Sequence, residues 1–248
     1  MAEEIVEQGY RELADTILEH NPGVDLGRVR AAFELADRAH SGQKRKAGTP
    51  YVTHCVAAAQ ICAEMGLDED SIVAALLHDC IEDTAITHED IARQFGAEVA
   101  DIVEGVTKLT RVQFTSREDE QMENLRKMLM AMAKDIRVIL IKIADRLHNM
   151  RTMEYMVAQK QLEKSLETME IYAPIAHRLG LQKVKWELED LSLKYLDPDG
   201  YREIITYLDS KADVLNEFMS DVKKKITDRL TEYNIHATVQ SRIKHTYS

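Results

Sequence analysis

The residues in this sequence best suited to chemistry are His78 and Asp79, which end an apolar run, and Glu82 and Asp83, which follow one turn later. An imidazole nitrogen beside a carboxylate oxygen offers two donor atoms to one metal ion. On a helix that continues through this segment, Glu82 shares a face with His78, and Asp83 shares a face with Asp79. Burial of these ionisable groups without a cation is unfavourable, so the pattern predicts a metal site. The alternative is that Glu82 and Asp83 form a solvated helix end.

Two other segments can complete such a site. His54 begins a predicted helix after a basic loop, and Asp145 lies close to the apolar face of a helix striped with Ile and Leu. A carboxylate there needs a partner, which a neighbouring arginine could also supply. A lone histidine at a helix start is more often a surface or capping residue. Two His and two Asp ligands suit Mn, Fe or Zn better than Ca, and they exclude a soft thiolate site.

The predicted helix that carries Asp145 presents further polar groups near its end. Asn149 follows Asp145 at i,i+4 and Thr152 follows Asn149 at i,i+3, so the three side chains share one face. They are candidates for contacts with a ligand, although Asn149 could instead make only local hydrogen bonds at the helix end. His148 lies off that line, and we expect it to pack against the site rather than to bind the metal.

The composition favours a helical protein that does not bind nucleic acid. Hydrophobic residues make up 45% of the 248 residues, whereas Gly (10) and Pro (4) are scarce. The net charge of -11 disfavours a nucleic-acid surface. Three cysteines without a CxxC pair fit a reducing cytosol, so we expect a cytoplasmic protein. The first residues lack the features of a signal peptide, and no apolar run is long enough to cross a membrane.

The periodicity predicts an all-α arrangement up to residue 233, with a change after it. Ile235 to Ile243 alternates like a strand, and a lone edge strand is not stable by itself. We therefore expect the natural protein to continue, or this strand to pair with another segment. Polar loops are expected at 41–50 and 110–117. The predicted helices are 4–20, 25–40, 51–65, 69–80, one from Thr87 to about Gly96, one from there to about 108, 118–133, 136–153, 158–179, 181–195 and 201–233.

The order of His54, His78-Asp79 and Asp145 resembles that of the HD-domain metal-dependent phosphohydrolases. Longer segments resemble the hydrolase domain of the RelA/SpoT homologues, which make and degrade the alarmones (p)ppGpp. Cys55 stands where the family usually has Pro, and Ala47 where Ser is frequent; neither change removes a ligand. The segments that carry the resemblance are Arg45-Lys-Ala-Gly-Thr-Pro-Tyr-Val-Thr-His54, His78-Asp-Cys-Ile-Glu-Asp-Thr84, Gly105-Val-Thr-Lys-Leu109 and Lys142-Ile-Ala-Asp-Arg-Leu-His-Asn-Met-Arg-Thr152.

The resemblance implies a fold and a domain order. It implies an all-α HD-domain helical bundle over 1–156, linking helices over 157–197 and the start of an incomplete α/β synthetase domain over 198–248. The linking segment rests on Ala173-Pro-Ile-Ala-His-Arg-Leu-Gly180 and the synthetase start on Ser241-Arg-Ile-Lys-His-Thr-Tyr-Ser248. Because the synthetase sheet only begins here, we predict that this chain cannot make (p)ppGpp.

The resemblance also implies the reaction, which is metal-dependent removal of the 3′-pyrophosphate of (p)ppGpp to give GDP or GTP and pyrophosphate. Mn²⁺ is the implied ion, and Glu82 and Asp83 are placed to orient a water and take its proton. The implied metal ligands are His54, His78, Asp79 and Asp145. The implied substrate contacts are Arg45, Lys46, Tyr51, Asn149 and Thr152.

Arg45 can stack on guanine while Lys46 meets phosphate, although by composition alone the basic loop could simply be solvated. The expected partner is a small guanine nucleotide, with no membrane, no direct nucleic acid and a ribosome only through C-terminal regions absent from this chain. Two alternatives stay open: another HD-domain nucleotide phosphohydrolase, or a nucleotide-binding regulatory module without turnover.

Overall fold

The computed structural model describes residues 2–110, 134–235 and 237–239, and within these ranges the secondary structure is helical. The predicted loop at 110–117 (after residue 110) and the predicted helix at 118–133 lie outside the described residues. The helices are α1 (Ala2–His20), α2 (Leu26–Ala39), α3 (Val52–Glu64), α4 (Glu69–Leu77), α5 (Cys80–Asp83), α6 (His88–Phe95), α7 (Ala97–Thr110), α8 (Ile136–Arg151), a 3₁₀ turn (Met153–Tyr155), α9 (Ala158–Glu167), a π-helical turn (Thr168–Tyr172), α10 (Ala173–Arg178), α11 (Gln182–Leu196) and α12 (Pro198–Glu232).

Short polar side chains cap the N-terminal ends of several helices. The Asp68 carboxylate accepts a hydrogen bond from the backbone N–H of Ser71 at the start of α4, and Asp135 accepts one from the N–H of Arg137 at the start of α8. Thr87 and Asp90 form a capping box at the start of α6, with Asp90 in the place of the usual Glu or Gln. These caps satisfy N–H groups that have no partner inside the helix.

Helix α4 is the centre of the core. Every residue from Ser71 to Leu77 is buried, and the helix packs against α2, α3, α7 and α8. A helix that is apolar on all sides is stable only inside a protein, because each buried Leu or Ile side chain contributes about 1.5–3 kcal/mol. The core therefore fixes the position of the residues that directly follow α4.

The predicted helix at 69–80 was wrong at its end, since α4 stops at Leu77 and α5 begins at Cys80. The ring Nδ1 of His78 lies 2.8 Å from the carbonyl oxygen of Ala75, which the N–H of Asp79 would use in a continuing helix. The N–H of Asp83 still donates to the carbonyl of Asp79 at 2.9 Å. The i,i+4 relation between the two acidic residues therefore survives the break.

The predicted helix at 158–179 is interrupted by the π-helical turn Thr168–Tyr172. Pro174 lies two residues after this turn, in the first turn of α10. Proline has no N–H and clashes with the carbonyl four residues earlier, and a wider turn accommodates it. The turn places Tyr172 in the core, where the guanidinium of Arg146 lies 4.2 Å from its ring centroid.

The C-terminal part begins one turn earlier than expected. Pro198, predicted to mark a boundary, begins α12, and the Asp197 carboxylate accepts from the N–H of Gly200. No strand forms at Ile235 or at 237–239, so the predicted strand is not confirmed there; its other residues lie outside the described part. A strand needs a neighbour for its backbone hydrogen bonds, and none is described here. Within the described ranges, no helix has the length and apolar character needed to cross a membrane.

Candidate metal centre and nucleotide site

Three buried side chains from three elements converge. His54 comes from the first turn of α3, His78 follows the last residue of α4, and Asp145 lies on α8. One donor atom from each lies within 4.8 Å of the other two. Asp79 joins them, because its Oδ2 lies 3.6 Å from His54 Nε2 and 3.1 Å from His78 Nε2. The four predicted metal ligands therefore meet at one point.

The orientation of His78 suits a metal ligand. Its Nδ1 can donate to the Ala75 carbonyl, which leaves Nε2 as the free ring nitrogen. Among the described residues, this Nε2 is buried without a hydrogen-bond partner, since Asp79 is close but poorly aligned. Burial alone would lower the pKa of His78, but the Asp79 and Asp145 carboxylates and the Ala75 carbonyl together raise it to about 9, so without a cation Nε2 holds a proton that a metal ion would displace. An unsatisfied buried nitrogen beside two carboxylates fits a divalent cation.

A second histidine fixes the ring of His54. Nδ1 of His54 lies 2.7 Å from Nδ1 of His148, so one ring donates and the other accepts. Nε2 of His54 faces Asp145 Oδ1 at 3.3 Å. Burial lowers the pKa of both rings, and for His148 to about 3, so both are neutral near pH 7. For His54 to bind a metal through Nε2, its Nδ1 must carry the proton and donate to His148.

Asp145 is held by two neighbours on its own helix. Lys142 Nζ donates to Asp145 Oδ2 at 2.6 Å, and the side-chain amide of Asn149 donates to Oδ1. Burial favours the neutral acid, but the Lys142 ammonium outweighs it and keeps the pKa of Asp145 well below its ordinary value. The carboxylate is therefore ionised and has a fixed orientation.

A tyrosine connects the metal centre to the acidic turn. The Tyr51 hydroxyl lies 2.7 Å from Asp79 Oδ2 and 3.1 Å from Asp83 Oδ2. One hydroxyl has a single proton, so it can donate fully to only one carboxylate at a time. Burial and the Asp79 charge raise the pKa of Tyr51, which stays protonated. Tyr51 was predicted to contact nucleotide; here it contacts carboxylates. Asp83 is exposed and Glu82 is half-buried on α5.

The basic loop, residues 41–50, folds over the end of α8. Its backbone turns tightly, with the N–H of Arg45 donating to the Thr49 carbonyl, and an isolated antiparallel bridge joins Lys44 to Pro50. The Arg45 guanidinium donates to Asn149 Oδ1 at 2.6 Å and lies 3.5 Å from Thr152 Oγ1.

Four of the five predicted substrate contacts are thus close together. The Arg45 guanidinium also lies 5.6 Å from the centroid of the Tyr51 ring, so it links the loop to the tyrosine as well as to α8. Lys46 is the exception. Within the described part of the chain its side chain is exposed and forms no hydrogen bond with the other four residues.

Three contributing residues were not assigned a role from the sequence. His40 is buried and stacks on Tyr51 with centroids 4.6 Å apart, and Gln43 bonds both to His40 and to the backbone carbonyl of Asp83. These contacts depend on how the chain folds around Tyr51 and Asp83, and they left no sequence signal. Lys142 did leave one, since a lysine among buried isoleucines three residues before Asp145 needs a buried anion.

A surface groove of about 1060 Å³ lies elsewhere, between α1 and α3. Its lining includes Ile5, Gly9, Val56 and Gln60, and it contains none of the predicted site residues. The predicted metal ligands lie outside this groove, on α3, in the turn after α4 and on α8.

The chain is similar to several known proteins. A family described as "HD domain" matches residues 32–182. The chain is 45% identical over 239 residues to "Bifunctional (p)ppGpp synthase/hydrolase SpoT" of Escherichia coli (strain K12), covering 96% of this chain and 34% of that protein. It is 49% identical over 223 residues to "GTP pyrophosphokinase" of Streptomyces coelicolor, covering 90% of this chain and 26% of that protein.

The chain thus spans about a third or less of the length of these relatives. A solved structure titled "A metazoan ortholog of SpoT hydrolyzes ppGpp and plays a role in starvation responses" aligns with a TM-score of 0.42 and 32% identity, over 51% of this chain and 70% of that one. The family match covers more than half of the chain and includes all four candidate ligands. The chain belongs to the HD-domain family.

Proposed function

We propose that this chain hydrolyses the 3′-pyrophosphate of (p)ppGpp, releasing GDP or GTP and pyrophosphate, with Mn²⁺ held by His54, His78, Asp79 and Asp145. The observation that carries the proposal is the convergence of these side chains on the buried, unpaired Nε2 of His78, with Asp83 joined to the group through Tyr51. The names of the matched relatives support the substrate.

In the proposed reaction the metal ligands, the acidic pair and the basic loop have different roles. A divalent ion bound by the two His and two Asp side chains would polarise a phosphoryl group and make a nearby water more acidic. Asp83 and Glu82, which follow Asp79 on α5, orient that water and accept its proton; Asp83 Oδ2 shares the Tyr51 hydroxyl with Asp79. The Tyr51 hydroxyl keeps Asp83 next to Asp79, and Arg45, Asn149 and Thr152 receive the guanine nucleotide, with Lys46 meeting its phosphates.

The domain order of the whole protein is part of the same proposal. Residues 1–156 form the hydrolase domain, 157–197 the linking helices, and 198–248 the beginning of a synthetase domain that is completed in longer relatives. The proposed setting is the bacterial cytoplasm during the stringent response, with a small guanine nucleotide as partner and any ribosome contact made by regions outside this sequence.

The test is pyrophosphate release from ppGpp by the purified chain with Mn²⁺. We expect turnover that Asp79→Asn abolishes, because that change removes one ligand charge. Asp101→Asn is the matched control, since Asp101 is a solvent-exposed carboxylate that pairs with His88. Absence of turnover in the unchanged protein, or equal turnover in Asp79→Asn, would falsify the proposal.

A substrate panel separates the two alternatives. Faster hydrolysis of another nucleotide than of ppGpp would identify a different HD-domain phosphohydrolase. Tight ppGpp binding without product would identify a regulatory module. The intact ligand set and the Asp83 carboxylate beside it favour catalysis.

A further inference from the structure

We propose that Lys142 is a built-in counter-cation, which stabilises Asp145 when no metal ion is bound and thereby lowers the affinity of the site for its divalent ion. The inference rests on the metal centre proposed above. It concerns a residue to which the proposed reaction assigns no role, and it makes the site one from which the ion can exchange.

The geometry places Lys142 directly on one candidate ligand. Its Nζ lies 2.6 Å from Asp145 Oδ2, and the two side chains are only 12% and 8% exposed. The other oxygen, Oδ1, faces His54 Nε2 at 3.3 Å. Lys142 thus binds the oxygen that is not turned toward His54, and the ammonium and a bound metal ion would share one carboxylate.

Charge decides the direction of the effect. An ammonium and a divalent ion on the same carboxylate repel each other strongly when the site is as buried as this one. Without Lys142, Asp145 would be a buried anion with no cation bonded to it, and the metal-free protein would be less stable. Both effects act in the same direction, so removal of Lys142 strengthens metal binding.

A different role predicts the opposite sign. If Lys142 acted mainly by orienting Asp145, its loss would weaken metal binding about 10–100-fold. However, the Asn149 amide also holds Asp145 through Oδ1. Asn149 can therefore orient the Asp145 carboxylate without Lys142, but it cannot supply the positive charge that Lys142 provides.

The experiment measures Mn²⁺ binding to the chelator-treated protein by calorimetry, with no nucleotide present. Lys142→Met nearly keeps the length of the side chain and removes its charge, and it should lower the Kd for Mn²⁺ at least about tenfold. Lys142→Arg, which keeps the charge, should not tighten binding. Lys160→Met is the matched control: Lys160 also bonds a carboxylate at i,i+3, Glu163, but on the exposed surface. Unchanged or weaker Mn²⁺ binding by Lys142→Met overturns the inference.

Two further measurements test whether Lys142 acts through Asp145. In an Asp145→Asn background, Lys142→Met should change the Mn²⁺ affinity less than it does alone, since the shared carboxylate is gone. In thermal unfolding, Lys142→Met should lower the Tm of the metal-free protein, and Mn²⁺ should raise the Tm of this variant more than that of the unchanged protein. Equal gains in Tm for both proteins would contradict the inference.

The outcomes separate this inference from the proposed function. If the unchanged protein binds no Mn²⁺, both fail. If it binds Mn²⁺ but does not hydrolyse ppGpp, the function fails and the role of Lys142 stands. If Lys142→Met folds only with metal present, it can be purified with Mn²⁺, and slower release of Mn²⁺ to a chelator than from the unchanged protein is the expected result; faster release would refute the inference.

Discussion

The Nδ1 atoms of His54 and His148 lie 2.7 Å apart, so the tautomer of one ring determines whether the other ring donates or accepts. Replacing His148 with Phe keeps an aromatic ring but removes the acceptor for the His54 N–H. We expect Mn²⁺ affinity to fall about 10–100-fold, as when an outer partner of a metal-bound histidine is lost. Calorimetric titration with Mn²⁺ measures this. His148→Asn, which supplies another acceptor, should lose less, and wild-type affinity in His148→Phe would rule out this role.

The hydroxyl of Tyr51 is shared by a predicted metal ligand, Asp79, and a predicted proton acceptor, Asp83. Tyr51→Phe removes this link while keeping the ring stacked on His40. We expect kcat for ppGpp hydrolysis to fall about 10²-fold, within the range that positioned proton transfer contributes, with a smaller change in KM. Steady-state kinetics measure both. Tyr155→Phe, at an exposed tyrosine, is the control; a change in KM alone would instead mean that Tyr51 contacts the nucleotide.

The two basic residues of the loop should differ in their effects. Arg45 reaches Asn149 and Thr152, whereas Lys46 is exposed. We expect Arg45→Ala to raise the KM for ppGpp about tenfold or more, because it removes a guanidinium from the predicted base site. Lys46→Ala should raise it less, and neither should change Mn²⁺ affinity more than about twofold. Equal effects of the two changes would indicate that the loop acts only through its total charge.

Arg137, two turns before Asp145 on α8, joins the starts of three helices. Its guanidinium bonds Asp135, Asp68 and Glu98, at the starts of α8, α4 and α7. We expect Arg137→Ala to lower the free energy of unfolding by about 1–3 kcal/mol at pH 7, seen as a lower urea midpoint. Arg202→Ala, which removes an exposed pair with Asp199, should have little effect.

This contribution should depend on pH with a definite sign. The hydrogen bonds and charge of Arg137 lower the pKa of Asp135 below its ordinary value in the folded protein. The stabilisation is therefore complete above the unfolded pKa, about 3.9, and is lost as pH falls through the lower folded pKa. The difference between Arg137→Ala and the unchanged protein should shrink in urea titrations below about pH 4. A difference that is independent of pH would show that packing, and not charge, is responsible.

The sequence predicted the positions of the candidate ligands well, for a physical reason. His54, His78, Asp79 and Asp145 each sit at an apolar helix, where an ionisable side chain needs a partner, and the structure brings all four together. Their roles as ligands stay predictions. The break after Leu77 was missed, because periodicity does not reveal that the His78 ring takes the carbonyl that would continue the helix.

Contacts between distant segments could not be predicted in the same way. The bond of Tyr51 to Asp79 and Asp83, and the stacking of His40 on Tyr51, depend on how the chain folds back after α2. No local pattern encodes these distances. Lys142 was different, because its apolar neighbours and its spacing from Asp145 were visible in the sequence.

Asp145 and Arg146 are adjacent on α8 but point in different directions. Asp145 enters the metal centre, whereas Arg146 bonds Glu167 and packs on Tyr172 of the π-helical turn. A rotation of α8 by even one residue would exchange the two surroundings and leave both charges misplaced. The metal centre therefore cannot widen for a larger ion by rotation of α8. Its fit to an ion depends on the segments after the predicted boundary at 156, which hold Arg146 in place.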